Sequence, residues 1–179
     1  MIPENTKSFA LFTINSAKPL FNQLTKSFKY SKIYFNRILI KDGLKMNRKT
    51  ARENAFLLLF ESIFRSEDTA EEILDMAKSV RSLEVDEYVS RVFFGAYQNA
   101  AVIDALIEKN LVGWKAERIS PVSRAILRLA TYEMMFEDDI PGKVSINEGI
   151  ELAKKYDDEK TYGFVNGVLN AVAEALSRK

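Results

Sequence analysis

A chain of 179 residues with 47% hydrophobic and 28% charged content suits one domain with a full core. It contains no Cys and no His, which excludes disulfides, thiolate metal sites, a thiol nucleophile and the commonest general base and metal ligand. The net charge of +1 conceals an uneven spread: residues 1–45 hold eight Lys and Arg against Glu4 and Asp42, a local +6, while residues 46–179 hold 18 basic and 23 acidic residues, a local −5.

The segment 1–45 is acid-poor, basic, and rich in Ser, Phe and Tyr, without a clean apolar period. Leaders of that composition occur as organelle transit segments. Because Met46 sits at the composition break, the expectation is instead that it is the true start. Residues 1–45 are then a misplaced or disordered extension, left out of the fold argument.

The first predicted helix runs from about Arg48 to Arg65. Arg48, Lys49 and Arg52 stand at its beginning; Ala55 through Phe60, Ile63 and Phe64 form its body. A body apolar over most of its circumference predicts enclosure by other helices, with the basic start projecting from the rim. Three cations there oppose the helix dipole, and only Glu53 obeys it. The residues leave two readings open, a solvated helix start or a site for phosphates.

Thr69 with Glu72 three residues on predicts a capping box for a second helix, with Ile73, Leu74, Ala77 and Val80 inward and an end near Ser82. Asp86 caps a long third helix through Ile107, in which Gly95 costs propensity and predicts a close crossing. Trp114 is expected as a core or hinge anchor. Ser120-Pro121 starts a fourth helix to Phe136. Tyr132-Glu133, beside Arg124 and Arg128, reads as an internal polar brace or a partner surface.

Ser145 with Glu148 predicts a further box and a fifth helix, carrying a Glu151–Lys155 pair outside. Thr161 is expected to cap the last helix, where Val165, Val168, Leu169, Val172 and Leu176 keep the period. Asn147 and Asn166 read as polar side chains serving helix starts. No segment alternates with period two, so the fold class is all-α. Carboxylates form no pair in a catalytic context, and no glycine-rich loop follows a strand-like run. No enzyme activity, metal or cofactor is expected. No apolar run reaches the length of a membrane span, and a cytoplasmic protein with no membrane partner is the expectation.

Five motifs then stand in order and spacing: Arg48-Lys49-x-x-Arg52-Glu53 with Leu58-Leu59-Phe60; Ala125-Ile126-Leu127-Arg128-Leu129-Ala130-x-Tyr132-Glu133; Ile140-Pro141-x-Lys143-Val144-x-Ile146-Asn147-Glu148; Glu151-Leu152-Ala153-Lys154; and Phe164-Val165-Asn166-Gly167-Val168-Leu169. On these, residues 46–179 resemble the bacterial transcription antitermination factor NusB family. The resemblance implies an all-α bundle of six to seven helices in two helical halves, 46–112 and 113–179. It also implies binding of single-stranded boxA-type RNA from ribosomal operons. A small-subunit ribosomal protein would share that binding, within an RNA polymerase antitermination complex that the chain joins indirectly.

The resemblance carries RNA contact onto Arg48, Lys49 and Arg52, with Lys49 standing where an Arg is common and so keeping charge without the bidentate fork. It carries base stacking onto Tyr156 and Phe164, both off their helices' apolar stripes. It carries partner contact onto Ser123 and Arg124. Monomer versus homodimer stays open. Two other readings are a helical interaction adaptor without RNA binding and a detached NusB-like domain of an rRNA cytosine methyltransferase. The second is set aside, because such an enzyme needs a cofactor domain and Cys residues.

Overall fold

The computed structural model describes residues 46–111, 113–158 and 161–177. The expected extension 1–45 lies outside the described residues. Among those described there are seven α-helices and no strand, the all-α class the sequence predicts. They are α1 (Arg48–Phe64), α2 (Ala70–Arg81), α3 (Glu87–Gln98), α4 (Ala100–Lys109), α5 (Pro121–Phe136), α6 (Gly142–Tyr156) and α7 (Thr161–Ser177), with a 3-10 turn at Ala116–Arg118 before α5.

Short polar side chains set several of the starts. Thr69 Oγ1 accepts from the Glu72 N–H at 3.3 Å while the Thr69 N–H donates to Glu72 Oε2 at 2.8 Å, the predicted box of α2. Asp86 Oδ1 accepts from the Val89 N–H at 2.8 Å at the start of α3. Ser120 Oγ accepts from the Ser123 N–H at 3.0 Å, with Pro121 opening α5. Asn47, just ahead of the basic cluster, caps α1 by accepting from the Thr50 N–H at 2.9 Å. Each such cap contributes about 1 kcal/mol.

Three boundaries differ from expectation. The predicted long third helix breaks into α3 and α4 at Asn99. Its side-chain amide donates to the Gly95 carbonyl at 2.8 Å, a local bond that competes with the helical ladder. Ser145 and Glu148 form no capping box. Pro141 precedes the first turn, the Val144 N–H donates to its carbonyl at 2.8 Å, and α6 therefore begins at Gly142 with Ser145 buried inside it. Thr161 is the first residue of α7 rather than its cap. The two asparagines serve no helix start: Asn147 is exposed in α6, and Asn166 accepts from the Asn170 amide within α7.

The helix most enclosed is α5, not α1. It packs against α1, α3, α4, α6 and α7. Ala125, Ile126, Leu127, Leu129, Ala130, Thr131, Tyr132, Glu133 and Met135 are all buried along it. A helix buried on nearly every side must be apolar nearly all round, as this one is apart from a few polar groups, paired except for the buried Thr131 hydroxyl. By contrast α1 leaves an edge in solvent. Phe56, Phe60 and Phe64 stack in sequence along it, with ring centroids 6.2 and 5.1 Å apart, and Phe64 is largely exposed. Val80, expected inside, is 74% exposed: α2 packs on α1 through Ile73, Leu74 and Ala77, and its last turn is held to α1 by the Arg81–Glu61 ion pair with Val80 left outside.

Gly95 makes the predicted close crossing. A Cβ built there would lie 2.1 Å from the hydroxyl of Tyr132, whose ring is fully buried on α5. No helix among the described residues is long and apolar enough to cross a membrane.

Candidate nucleic-acid interface

The first turns of α1 present their cations very differently. Arg48 is exposed, its guanidinium 4.3 Å from the centre of the Tyr88 ring, and Lys49 is exposed beside it. Arg52, one turn on and on the same line, is only 5% exposed. Its Nε donates to Glu133 Oε1 at 2.8 Å, and its Nη1 lies 3.7 Å from Glu148 Oε2. The Tyr88 hydroxyl donates to the same Glu133 oxygen. Burial, and then the charge of Glu133, push the Tyr88 hydroxyl far above its ordinary range, so it remains a donor.

Arg52 therefore does not project from the rim as expected. One turn of helix carries it from the exposed end of α1 to where α3, α5 and α6 close over it. Tyr132-Glu133 is settled as internal: both side chains are buried, away from Arg124 and Arg128. Those two arginines turn instead to Asp104 on α4, Arg128 in a two-pronged pair at 2.8 and 2.6 Å.

Glu53 turns toward the end of α6. It accepts from Lys155 Nζ at 2.6 Å and from the Tyr156 hydroxyl, so its role is to tie α1 to the end of α6 rather than to serve the helix dipole. Burial pushes its carboxyl up, but the bonds from Lys155 and Tyr156 and the charges of Lys155 and Lys49 outweigh this and hold it below its ordinary value. The expected Glu151–Lys155 pair does not form. Lys154 Nζ takes Glu151 at 2.7 Å, freeing Lys155 to reach across to Glu53.

Between α1 and α6 lies an open cleft of about 260 Å³, with Lys49 and Arg52 on one wall and Glu148, Glu151, Lys154 and Lys155 on the other. Tyr156 stands beside it rather than in its wall, its hydroxyl donating to Glu53 of the cleft; it is half-buried, its ring 4.9 Å from Phe56 and 5.2 Å from Lys155 Nζ. Thus the structure brings Lys49 and Arg52 to one cleft and sets Tyr156 next to it through Glu53, with only part of its ring presented.

Phe164 stands with a different partner. It is half-buried, 4.7 Å from the ring of Trp114, which is 54% exposed. Trp114 is therefore no core anchor. Gly113 before it adopts a φ of +74°, a left-handed turn that glycine adopts without strain, and it projects the indole from the α4–α5 connection. The sequence signal was Gly113, which marks a turn at this place, but nothing in the dipeptide says which way the indole points.

The start of α5 is committed internally. Ser123, 1% exposed, donates its hydroxyl to Asp157 Oδ2 at 2.8 Å, and Ser120 does the same at 2.9 Å, pinning α5 to the end of α6. A buried hydroxyl so engaged is not a contact surface. Arg124 is partly exposed and donates to the Ala116 carbonyl at 2.9 Å, which holds the 3-10 turn. No cluster of acidic side chains suited to a metal ion occurs among the described residues.

Comparison with known proteins agrees with this architecture. The sequence profile of the NusB family matches residues 49–174. A transcription antitermination protein NusB of Clostridium botulinum (strain Kyoto / Type A2) is 47% identical over 140 residues, 69% of this chain and 97% of the relative. One from Bacillus velezensis is 44% identical over 130 residues, covering 71% of this chain and 95% of its own. Among solved structures, T. maritima NusB aligns with a TM-score of 0.65 at 38% identity, over 73% of this chain and 93% of that one. A crystal structure described as the antitermination factors NusB and NusE in complex with double-stranded RNA aligns with a TM-score of 0.64 at 32% identity, over 72% and 96%. These relatives carry the name of a regulator of transcription rather than of an enzyme. With the fold and the matched span in agreement, the chain belongs to the NusB family.

Proposed function

We propose that this protein is a non-catalytic antitermination factor that binds single-stranded boxA-type RNA of ribosomal operons jointly with a small-subunit ribosomal protein, inside an RNA polymerase complex. The observation that carries the reading is the exposed pair Arg48 and Lys49 at the start of α1, beside a cleft whose Glu53 holds the hydroxyl of the neighbouring, partly exposed Tyr156. A charged rim next to partly exposed rings fits single-stranded RNA, whose backbone is held by cations and whose bases stack on aromatic faces. The solved NusB–NusE complex containing RNA supports the pairing of an RNA and a protein partner.

In this reading Arg48 and Lys49 take phosphates, and Tyr156 and Phe164 take bases, with Trp114 widening the Phe164 face. Arg52 serves from behind, orienting the start of α1 through Glu133. Arg124 is the side chain left at the α5 start for the ribosomal protein, while Ser123 shapes that start from within.

Titration of a boxA-type RNA, with and without the ribosomal protein, tests this. The partner should tighten RNA binding and the RNA should tighten partner binding by the same factor, because linkage is reciprocal. Changing Arg48 and Lys49 to Ala together should flatten the log–log salt dependence by about 1.4, from about 0.7 per single-strand phosphate. A double variant that binds as tightly as the parent at low salt removes RNA from the reading and leaves a helical adaptor.

A further inference from the structure

We propose that the cleft between α1 and α6 is an RNA-backbone subsite in which Lys154 and Lys155 take phosphates, displacing the carboxylates of Glu151 and Glu53 that hold them in the free protein. This deepens the RNA reading and rests on it. Four cations from two helices converge on the cleft, Lys49 and Arg52 from α1 and Lys154 and Lys155 from α6. Arg52 is committed to the buried Glu133, so the ammonium groups are what the cleft has to offer.

Each of the two α6 lysines is about half exposed and paired with a single carboxylate, at 2.7 Å for Lys154–Glu151 and 2.6 Å for Lys155–Glu53. The Lys154–Glu151 pair, half exposed on both sides, is worth little and is readily exchanged for another anion, while Glu53, 24% exposed, keeps the Tyr156 hydroxyl when Lys155 turns to a phosphate. Each lysine also lies near an aromatic ring. Lys155 Nζ is 5.2 Å from the centre of Tyr156, and Lys154 Nζ is 5.9 Å from the centre of Tyr162, itself exposed in the first turn of α7. A cation of this wall thus lies beside a neighbouring ring twice in succession, Lys155 by Tyr156 at the end of α6 and Lys154 by Tyr162 on α7. That is the pattern of a groove that tracks a backbone while its rings receive bases.

The carboxylates give the cleft a second property. In the free protein they fill the cationic positions, so a weakly bound anion gains little by entering. A polyanion that engages Arg48 and Lys49 first delivers its next phosphates to Lys155 and Lys154 at high local concentration, and can displace both carboxylates at once. The cleft thereby favours a chain of phosphates over a single one.

The experiment uses the full chain with oligouridine as probe, across a salt series, and inorganic phosphate as the single-anion control. Replacing Lys154 and Lys155 by Ala together should flatten the log–log salt slope by about 1.4, at about 0.7 for each phosphate no longer neutralised. Glu151→Gln should tighten oligouridine binding, by up to about fivefold, the upper end for an exposed ion pair. Inorganic phosphate at the same concentrations should compete poorly. All these side chains are exposed or partly so, and a parent-like helical circular dichroism spectrum with a cooperative melt above the assay temperature confirms that the variants fold.

If the parent binds oligouridine and the double lysine variant keeps both affinity and slope, the subsite is wrong while the RNA reading stands. If Glu151→Gln weakens binding, the carboxylates belong to recognition and the exchange is wrong. A parent that binds neither oligouridine nor boxA-type RNA overturns the RNA reading and the subsite together.

Discussion

At the scale of single residues, burial sorts the cations that the sequence had grouped. Arg48, Lys49 and Arg52 share one charge and one helix start, yet only Arg52 is locked to a buried carboxylate. Arg52→Ala would leave Glu133 buried with Tyr88 as its remaining donor. Breaking such a pair from one side costs about 3–5 kcal/mol, which urea unfolding would read as a lower midpoint at unchanged slope. The same variant should leave the RNA salt slope nearly intact. A parent-like midpoint together with a flattened slope would return Arg52 to the phosphate contacts.

Glu53 supplies a pH signature. Its folded pKa lies below the ordinary value, so its contribution to stability is present above the unfolded value and is lost as pH falls through the folded one. The window opens below the reference value of 4.5 for a glutamate and not near neutrality. Glu53→Gln should therefore lower stability at neutral pH and narrow its gap to the parent in acid. Thermal melts of both proteins down a pH series would show the two curves converging. Parallel curves would mean that the Lys155 and Tyr156 bonds carry nothing.

At the scale of elements, the α3–α5 crossing is where a single methyl group matters most. Gly95→Ala gains roughly 1 kcal/mol of helix propensity but drives a Cβ into the buried Tyr132 ring. Overpacking of that kind costs about 1–3 kcal/mol or more, and the net effect should be a lower melting temperature. Pairing Gly95→Ala with Tyr132→Phe should recover part of the loss, since the hydroxyl is the nearest atom to the added methyl. A melting temperature for Gly95→Ala above that of the parent would show that α3 and α5 slide apart without cost. The helix ends teach a related lesson. Thr69, Asp86 and Ser120 could be read directly because their caps are local bonds across three residues. Ser145 has the same pattern and fails, because Pro141 begins the helix one turn earlier and packing then takes Ser145 inside.

At the scale of the whole molecule, α5 is the element on which the others close, and α1 lies against it with its basic end free. The family profile matches residues 49–174, and relatives are matched over nearly their whole length by about seven-tenths of this chain. We therefore expect a protein of residues 46–179 to keep the melting temperature and RNA affinity of the full chain. A truncated protein that melts markedly lower, or binds oligouridine differently, would give the first 45 residues a part in the structure or the site.

The sequence by itself determined the all-α class, most helix positions and the family. These follow from periodicity, local caps and motif spacing, all properties of residues near one another in the chain. Only the tertiary structure decided which side of each helix meets water. Arg52 and Ser123 read as surface groups until Glu133 and Asp157, remote in sequence, were brought against them. Trp114 read as a core or hinge anchor until Gly113 turned it outward onto Phe164. Lys154 and Lys155 read as the outside of a helix until Lys155 reached Glu53, 102 residues away along the chain. Charge and ring type are written at each position, but burial depends on neighbours the chain supplies from a distance.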